Sequence, residues 1–386
     1  MIREKIQNVI QETIQKIQQE KKLARFKIPK ILVERPEDKT HGDYATNVAM
    51  RIAKLAKKTP MEIADILGSR LQTLDLKIFE KIEVARPGFI NFFLSKEYIQ
   101  NKLSEILKQR EKFGELKMGQ NRKVQVEFIS ANPTGPLHIG NGRGAFFGDC
   151  LANVLEKAGY KITREYYIND AKANTQMKIL GETALGKGIT YLTKDLKSKI
   201  QKLKPKLKNI VDEGKAGYVL AQEVQKDVQN FIEKKIKIKF DNWVSEEDFY
   251  KKNKVKKMYQ WLKKKRLVYQ KEGAEWLKIA KFGAPKDEVI IRQTGEPTYF
   301  LSDIAYHKDK FEMGFSKIIN IWGADHQGHV SKMKAAAKIL GYKGTFDILI
   351  SQIVRLKKGK ISKRKGEIVA LDWLINEVGL DAARFF

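Results

Sequence analysis

Ile2, Ile6, Ile10, Ile14 and Ile17 recur at steps of four and three, so the chain opens on an amphipathic helix with one apolar face. After a polar stretch holding Pro36, Gly42 and Asp43, the apolar positions Val48, Ile52 and Leu55 predict a second helix. Thr59-Pro60-Met61-Glu62 has the form of a capping box with proline at the first helical position, and predicts a third helix ending near Leu71. IEVA (82–85) and FINFFL (89–94) read as short strands around a turn at Arg86-Pro87-Gly88. Together these elements predict a small α+β domain over residues 1–110.

The pattern then changes. VQVEFI (124–129) alternates Val124, Val126 and Phe128 with Gln125 and Glu127, as a strand does. A loop rich in glycine and proline, SANPTGPLHIGNGRG (130–144), leads into the helix AFFGDCLANVLEKAG and a further strand, KITREYYI (161–168). Strand, glycine loop, helix and strand form a βαβ unit, which predicts a doubly wound parallel sheet of the Rossmann type over 111–386. Residues from about 180 to 275 read as a helical, lysine-rich insertion. Beyond it, VIIRQ (289–293), TYFLSDIAY (298–306), KIINIWG (317–323) and FDILISQIV (346–354) read as strands completing the sheet, with a helix near 329–340. LDWLINEVGLDAARFF enters a helix that stops on Phe385 and Phe386 with no cap or polar tail, from which a further C-terminal domain is expected to be absent.

Composition narrows the class of protein. Of 386 residues, 75 are Lys or Arg and 46 Asp or Glu, leaving a net charge of +29, and 42% are hydrophobic. A packed globular core is affordable at that apolar fraction, and the charge favours encounter with polyanions such as nucleic acid, or else reflects a solvated lysine-rich surface. No stretch is apolar enough to span a membrane, and the N-terminus lacks the apolar block of a signal peptide. Cys150 is the only cysteine, which excludes a disulfide framework and a cysteine-rich zinc site, so a cytoplasmic location is expected. Within 251–266, nine of sixteen residues are basic, with Tyr259 and Trp261 among them. That segment suits RNA, or is a solvated helix with the apolar stripe Val255, Met258 and Leu262.

Gly135, Gly140, Gly142 and Gly144 between a strand and a helix fit a phosphate-binding turn, but the spacing is neither that of a P-loop nor that of a dinucleotide site. His138-Ile139-Gly140-Asn141 pairs at long range with Lys360-Ile361-Ser362-Lys363-Arg364, and the two resemble the HIGH and KMSKS signatures of class I aminoacyl-tRNA synthetases. Asn141 replaces a histidine in the first and Ile361 a methionine in the second. EFISANPTGPLHIGNGRGAFFGD, REYYINDA, YFLSDIAYH, WGADHQGH and GLDAARFF, together with the N-terminal VERPEDKTHGDYATNVAMRIAK, are similar to the arginyl-tRNA synthetase family over nearly the whole chain.

That resemblance implies an arginine–tRNA ligase that uses ATP, with magnesium accompanying the phosphates, and takes arginine and tRNA(Arg) as partners. It also implies an N-terminal domain contacting tRNA, an absent anticodon-binding domain, and a family that commonly requires bound tRNA for activation. A monomer is expected. Catalysis falls to His138, Asn141, Lys360, Lys363 and Arg364, and the nucleotide to His138, Gly140, Asn141, Gly142, Asp325, His329, Ser362 and Lys363. Glu127 and Asp303, placed on the first and fourth strands, would face the guanidinium, whose planar fork matches carboxylates as lysine cannot. Ser130, Asn132, His138, Tyr299, Asp325 and His326 would hold the rest of the arginine. The plain alternative for Glu127 is a solvent-facing residue on an alternating strand. Seven basic residues in the eleven from Arg355 to Lys365, with Gly359 and Ser362 among them, suggest a flap closing over ATP rather than a loop holding RNA phosphates. His326 and His329 beside Asp325 lack a fourth ligand, so substrate contacts are expected there and zinc is not. Two other readings compete: a class I synthetase for another amino acid, such as cysteine or glutamate, and a non-catalytic tRNA-binding fragment.

Overall fold

The computed structural model describes residues 2–74, 77–356, 359–360 and 369–385, with the backbone alone at 355, 356, 359 and 360. The chain divides into two compact units, Met1–Gly114 and Glu115–Phe386.

In the first unit, helix α1 (Ile2–Gln19) buries Ile6, Ile10, Ile14 and Ile17 on one stripe, as the four-three spacing requires. Strand β1 (Tyr44–Thr46) leads into α2 (Val48–Ala56), which buries Val48 and Ile52 but leaves Leu55 47% exposed, so Leu55 lies off the apolar face assigned to it. Helix α3 (Pro60–Gln72) starts in the capping box: the Thr59 hydroxyl accepts from the Glu62 amide, and Glu62 Oε2 accepts from the Thr59 amide at 2.8 Å. β2 (Phe79–Ala85) and β3 (Phe89–Leu94) pair antiparallel, β1 joins the far side of β3, and α4 (Lys96–Gln109) follows.

The second unit begins with β4 (Lys123–Glu127), α5 (Ile139–Lys157) and β5 (Lys161–Ile168). Helices α6 (Thr175–Ala184), α7 (Lys194–Leu207) and α8 (Glu213–Asn230) come next, then β6 (Asn242–Ser245), α9 (Glu246–Lys251) and α10 (Lys254–Lys264). A hairpin, β7 (Val268–Lys271) and β8 (Ala274–Leu277), is joined antiparallel by β9 (Glu288–Ile291). After these lie α11 (Tyr299–Glu312), β10 (Lys317–Gly323), α12 (Val330–Ile339) and β11 (Thr345–Ser351). A short ribbon, β12 (Arg355–Leu356) with β13 (Gly359–Lys360), precedes α13 (Leu371–Val378) and α14 (Leu380–Phe385).

The central sheet is parallel throughout, in the order β11-β10-β4-β5-β6. The chain runs outward from β4 through β5 to β6, then crosses back to β10 and continues to β11, so direction reverses between β4 and β10. In doubly wound sheets, ligands bind beyond the strand C-termini at that reversal.

Several expectations are corrected. TYFLSDIAY is the start of helix α11, not a strand, so Asp303 lies on a helix. Its aromatic residues raise strand propensity, but Tyr299, Asp303, Tyr306 and Lys310 recur at steps of four, three and four, and tertiary packing selects the helical period. VIIRQ supplies β9 of the separate antiparallel sheet. The 180–275 segment is not all helical: it donates β6 to the central sheet, and its Glu272-Gly273 pair, both at positive φ, turns the β7–β8 hairpin. The glycine-rich stretch does not remain a loop to 144, because α5 begins at Ile139. The last stretch is two helices parted at Gly379, which has a left-handed φ of 80°. Glu127 does not face solvent: as a central strand covered on both faces, β4 buries Gln125 and Glu127 as well as Val124 and Val126.

Candidate active site

Helix α5 begins with His138 as its N-cap. His138 Nδ1 accepts from the Asn141 amide at 3.3 Å, and Asn141 Oδ1 accepts from the His138 amide at 3.1 Å, a reciprocal capping box. Gly140 permits this, since a Cβ there would lie 2.9 Å from His138 Cε1. Two turns on, Gly148 lets the helix lie directly against Phe128 just after β4, where a Cβ would meet the ring at 2.3 Å.

Leaving β4, the chain takes two consecutive left-handed residues, Ile129 (φ 68°) and Ser130 (φ 41°). For a β-branched residue this is costly, about 1–3 kcal/mol, and it persists only where the surroundings over-determine it. Here they do. Ser130 Oγ donates to Glu127 Oε1 at 3.1 Å and accepts from the Tyr167 amide at 3.1 Å, while the Ser130 carbonyl accepts from Asn169 Nδ2 and the Ala131 amide donates to the Tyr166 hydroxyl, each at 3.1 Å.

These elements open onto a cavity of about 500 Å³ at the reversal point between β4 and β10. Among the predicted site residues it brings together Ser130, Asn132, His138, Gly140, Asn141, Asp325 and His326. Gly142 does not reach it and is packed beneath Leu371, where a Cβ would meet Cδ1 at 2.7 Å. His329 is half-buried outside the lining, and burial, with the charges of Lys332 and His326, depresses its pKa. Asp325 and His326 are exposed and 3.7 Å apart. Ser362, Lys363 and Arg364 lie outside the described residues, and Lys360 is described by its backbone alone, in β13. The described residues on either side of them lie at the cavity or beside His138. Ser351–Val354 line the cavity before them, and after them the Ile139 amide donates to the Val369 carbonyl at 3.1 Å and the Leu371 amide to the Leu137 carbonyl at 2.9 Å.

Glu127, Tyr299 and Asp303 are not in that lining; Ser130 links Glu127 to it. Glu127 is 4% exposed, and Oε2 accepts from Lys310 Nζ at 2.6 Å. Burial pushes the Glu127 carboxyl up, but Lys310's charge and hydrogen bonds from Lys310 and Tyr306 outweigh it, and the net shift is down. Lys310 itself is fully buried, and its three protons meet Glu127, Asn320 Oδ1 at 3.1 Å and the Tyr306 hydroxyl at 3.3 Å. The Tyr306 hydroxyl lies 2.5 Å from Glu165 Oε1 and 3.1 Å from Glu127 Oε2 and shares its one proton between them. Asn320 Nδ2 donates to His307 Nε2 at 2.9 Å, which leaves the His307 proton on Nδ1, 2.8 Å from the Asp303 carbonyl.

Asp303 contrasts with this network. Among the described residues no cation pairs with its carboxylate and no donor meets it, and burial together with the charges of Glu246 and Glu127 pushes its pKa well above the ordinary value. Glu246, 3% exposed at the start of α9, accepts from Asn174 Nδ2 at 3.2 Å and Ser302 Oγ at 3.0 Å. The Tyr299 hydroxyl reaches the same region, accepting from the Thr175 amide and lying 3.4 Å from Asn174 Oδ1. Lys310, Tyr306, His307, Asn320, Glu165 and Glu246 were missed from sequence. Only the polar helical stripe through Tyr299, Asp303, Tyr306 and Lys310 could have signalled part of them.

A doubly wound sheet with a capped helix N-terminus at its reversal point defines a nucleotide-binding catalytic domain, and residues 102–385 match the family described as tRNA synthetases class I (R), catalytic domain. Residues 4–94 match the arginyl tRNA synthetase N terminal domain. The arginine–tRNA ligase of Bacillus subtilis is 41% identical over 412 residues, covering 100% of this chain and 73% of the relative. That of Carboxydothermus hydrogenoformans is 42% identical over 381 residues, covering 92% and 67%. The solved arginyl-tRNA synthetase of Thermus thermophilus shares the fold at a TM-score of 0.65 and 20% identity, covering 100% of this chain and 73% of that one. The chain belongs to the arginine–tRNA ligase family.

Proposed function

We propose that this chain activates L-arginine with ATP and transfers the arginyl group to the terminal adenosine of tRNA(Arg). The observation that supports it most is Asp303: a carboxylate with no cation on it among the described residues, electrostatically coupled to Glu127 behind a cavity that opens at a helix N-terminus. A guanidinium, with five donors and a charge that cannot titrate away, suits that place better than any other amino-acid side chain. Asp303 and the remaining lone pairs of Glu127 Oε1 take the guanidinium, with Tyr299 beside them. Asn132, Asp325 and His326 orient the α-amino and carboxylate end.

In the first step an oxygen of the arginine carboxylate attacks the α-phosphorus of ATP, and the bond to the pyrophosphate oxygen breaks. The nucleophile is already ionised, so no proton moves, and the protein contributes positioning and charge stabilisation. His138 and Asn141 hold phosphate oxygens at the start of α5, where amide dipoles favour negative charge. Because Asn141 Oδ1 caps the helix, its amide nitrogen is the atom left to donate. Lys360, Lys363 and Arg364 gather charge on the departing pyrophosphate, with Ser362 and Gly140 shaping the cradle and Gly142 acting through helix packing. In the second step a ribose hydroxyl of tRNA attacks the acyl carbonyl, the bond from that carbon to the phosphate oxygen breaks, and AMP leaves with the hydroxyl proton taken up by its phosphate.

Magnesium accompanies the triphosphate in this reading. The phosphate oxygens would supply most of its ligands, as is usual for magnesium bound with a nucleotide; among the described residues no three His, Cys, Asp or Glu side chains cluster to hold a metal. The first unit and the lysine-rich α10 contact tRNA, and the chain acts as a monomer in the cytoplasm. No helix among the described residues is long and apolar enough to cross a membrane. Arginine-dependent exchange of labelled pyrophosphate into ATP, with and without tRNA, tests the reading. Exchange with arginine alone among the twenty amino acids is the expected result, and exchange driven by another amino acid, or none with tRNA supplied, overturns it.

A further inference from the structure

We propose that Lys310 is a positioning residue for arginine: a buried internal cation that pins one oxygen of Glu127 from beneath and leaves the other, with Asp303, for the guanidinium. The inference rests on assigning this site to arginine, as above. Glu127 and Glu165 are direct neighbours on the parallel strands β4 and β5, so two buried carboxylates would repel without a cation between them. Lys310 Nζ provides it, 2.6 Å from Glu127 and 3.5 Å from Glu165. Its remaining protons are fixed by Asn320 and Tyr306, so the ammonium cannot swing toward a ligand.

One helix stripe thus carries both halves of the arrangement. Asp303 and Lys310 stand seven residues apart on α11, and His307 between them ties the Asp303 carbonyl to Asn320, the same side chain that holds Lys310. The groups facing Glu127 are Lys310, Tyr306, His307 and Asp303 from α11, Glu165 and Tyr167 from β5, and Ser130 from the loop. Lys310 is the only one of these with a fixed positive charge. Remove it, and the strongest opposition to burial is gone, with only the hydrogen bonds from Tyr306 and Ser130 left to hold the carboxylate; its pKa rises, and the group gives up its charge and its set orientation more readily as pH falls.

Calorimetric titration of the whole chain with arginine, and separately with ATP, tests this from pH 6 to 9. Lys310→Gln is expected to weaken arginine binding at least tenfold at pH 7, with ATP binding within twofold of the parent and arginine affinity recovering as pH rises. Lys310→Arg, which keeps the charge, recovers most of the loss. Asn320→Asp leaves the lysine in place but offers its ammonium a competing carboxylate, and is expected to weaken arginine several-fold and ATP not at all. It decides the matter if Lys310→Gln does not fold. Unchanged arginine affinity in Asn320→Asp, or equal and pH-independent loss of arginine and ATP in Lys310→Gln, overturns the proposal. A parent chain that binds ATP but not arginine, tRNA present, overturns the site assignment instead.

Discussion

At the rim of the cavity, His138 and Asn141 cap a helix with each other's polar atoms, three residues apart in sequence. In the layer behind it, Lys310 and Glu127 meet across 183 residues, and Tyr306, Asn320 and Glu165 complete the set from three different elements. The rim is local chemistry repeated in a short motif, open to solvent and free to engage a changing ligand. The buried layer is tertiary chemistry, closed to water, in which every ammonium proton has an acceptor. Substrate charge is therefore read by groups held in place by other groups, while phosphate charge is met by groups held by a helix.

Lys363→Ala tests the rim at its strongest point. If Lys363 meets the leaving pyrophosphate, its loss removes one preorganised charge and should cost about 3–4 kcal/mol in the transition state, with little change in arginine affinity. Single-turnover adenylate formation measures it, and a rate within tenfold of the parent would remove the lysine from the reaction. Asp303→Asn tests the half-buried carboxyl that shares α11 with Lys310. Truncating one charge of the guanidinium pair should weaken arginine by about 3 kcal/mol, over a hundredfold, in calorimetry. The same change should stabilise the free protein. A carboxyl whose folded pKa is raised binds more protons folded than unfolded, so stability falls as pH climbs from the ordinary carboxylate range through the raised value. The asparagine variant escapes that loss, and its Tm at pH 7.5 should rise by about 2–4 °C for each kcal/mol relieved.

His307 gives the next effect. Burial and the charge of Lys310 lower its pKa to about 4, below the unfolded value near 6.5. The unfolded chain therefore gains a proton first as pH falls, and stability drops between those two values, by about 2 kcal/mol at pH 5. His307→Gln should flatten that part of the pH dependence in denaturant titrations. An unaltered slope would mean that the imidazole is charged in the folded protein.

The contrast between rim and layer also explains what could be read beforehand. Helix α1, the capping box of α3 and the β4–α5–β5 order follow from short-range spacing and lie where the pattern put them, except that α5 begins earlier, at Ile139. TYFLSDIAY was misread because nine residues of aromatic and aliphatic character suit either period, and what decides is the sheet that the polar stripe packs against. The burial of Glu127 was hidden for a related reason: alternation on β4 marks two faces but not that both are covered. Lys310 had no local signal apart from the stripe, since among seventy-five basic residues nothing in its neighbourhood sets it apart from a surface lysine.

Asn141 offers the smallest effect and the finest division between the two regions. Asn141→Ala removes the oxygen that accepts from the His138 amide and should cost about 1 kcal/mol of stability, while ATP affinity falls only a few-fold. Asn141→Asp restores that acceptor at a helix N-terminus, where a carboxylate is favoured, and should return the Tm. It also sets a negative charge in the proposed phosphate cradle and should weaken ATP by about tenfold, at roughly 1.4 kcal/mol per decade. If both variants lose ATP equally, the amide nitrogen of Asn141 is what ATP meets; if only the aspartate does, the residue serves the helix start and the phosphates rest on backbone amides.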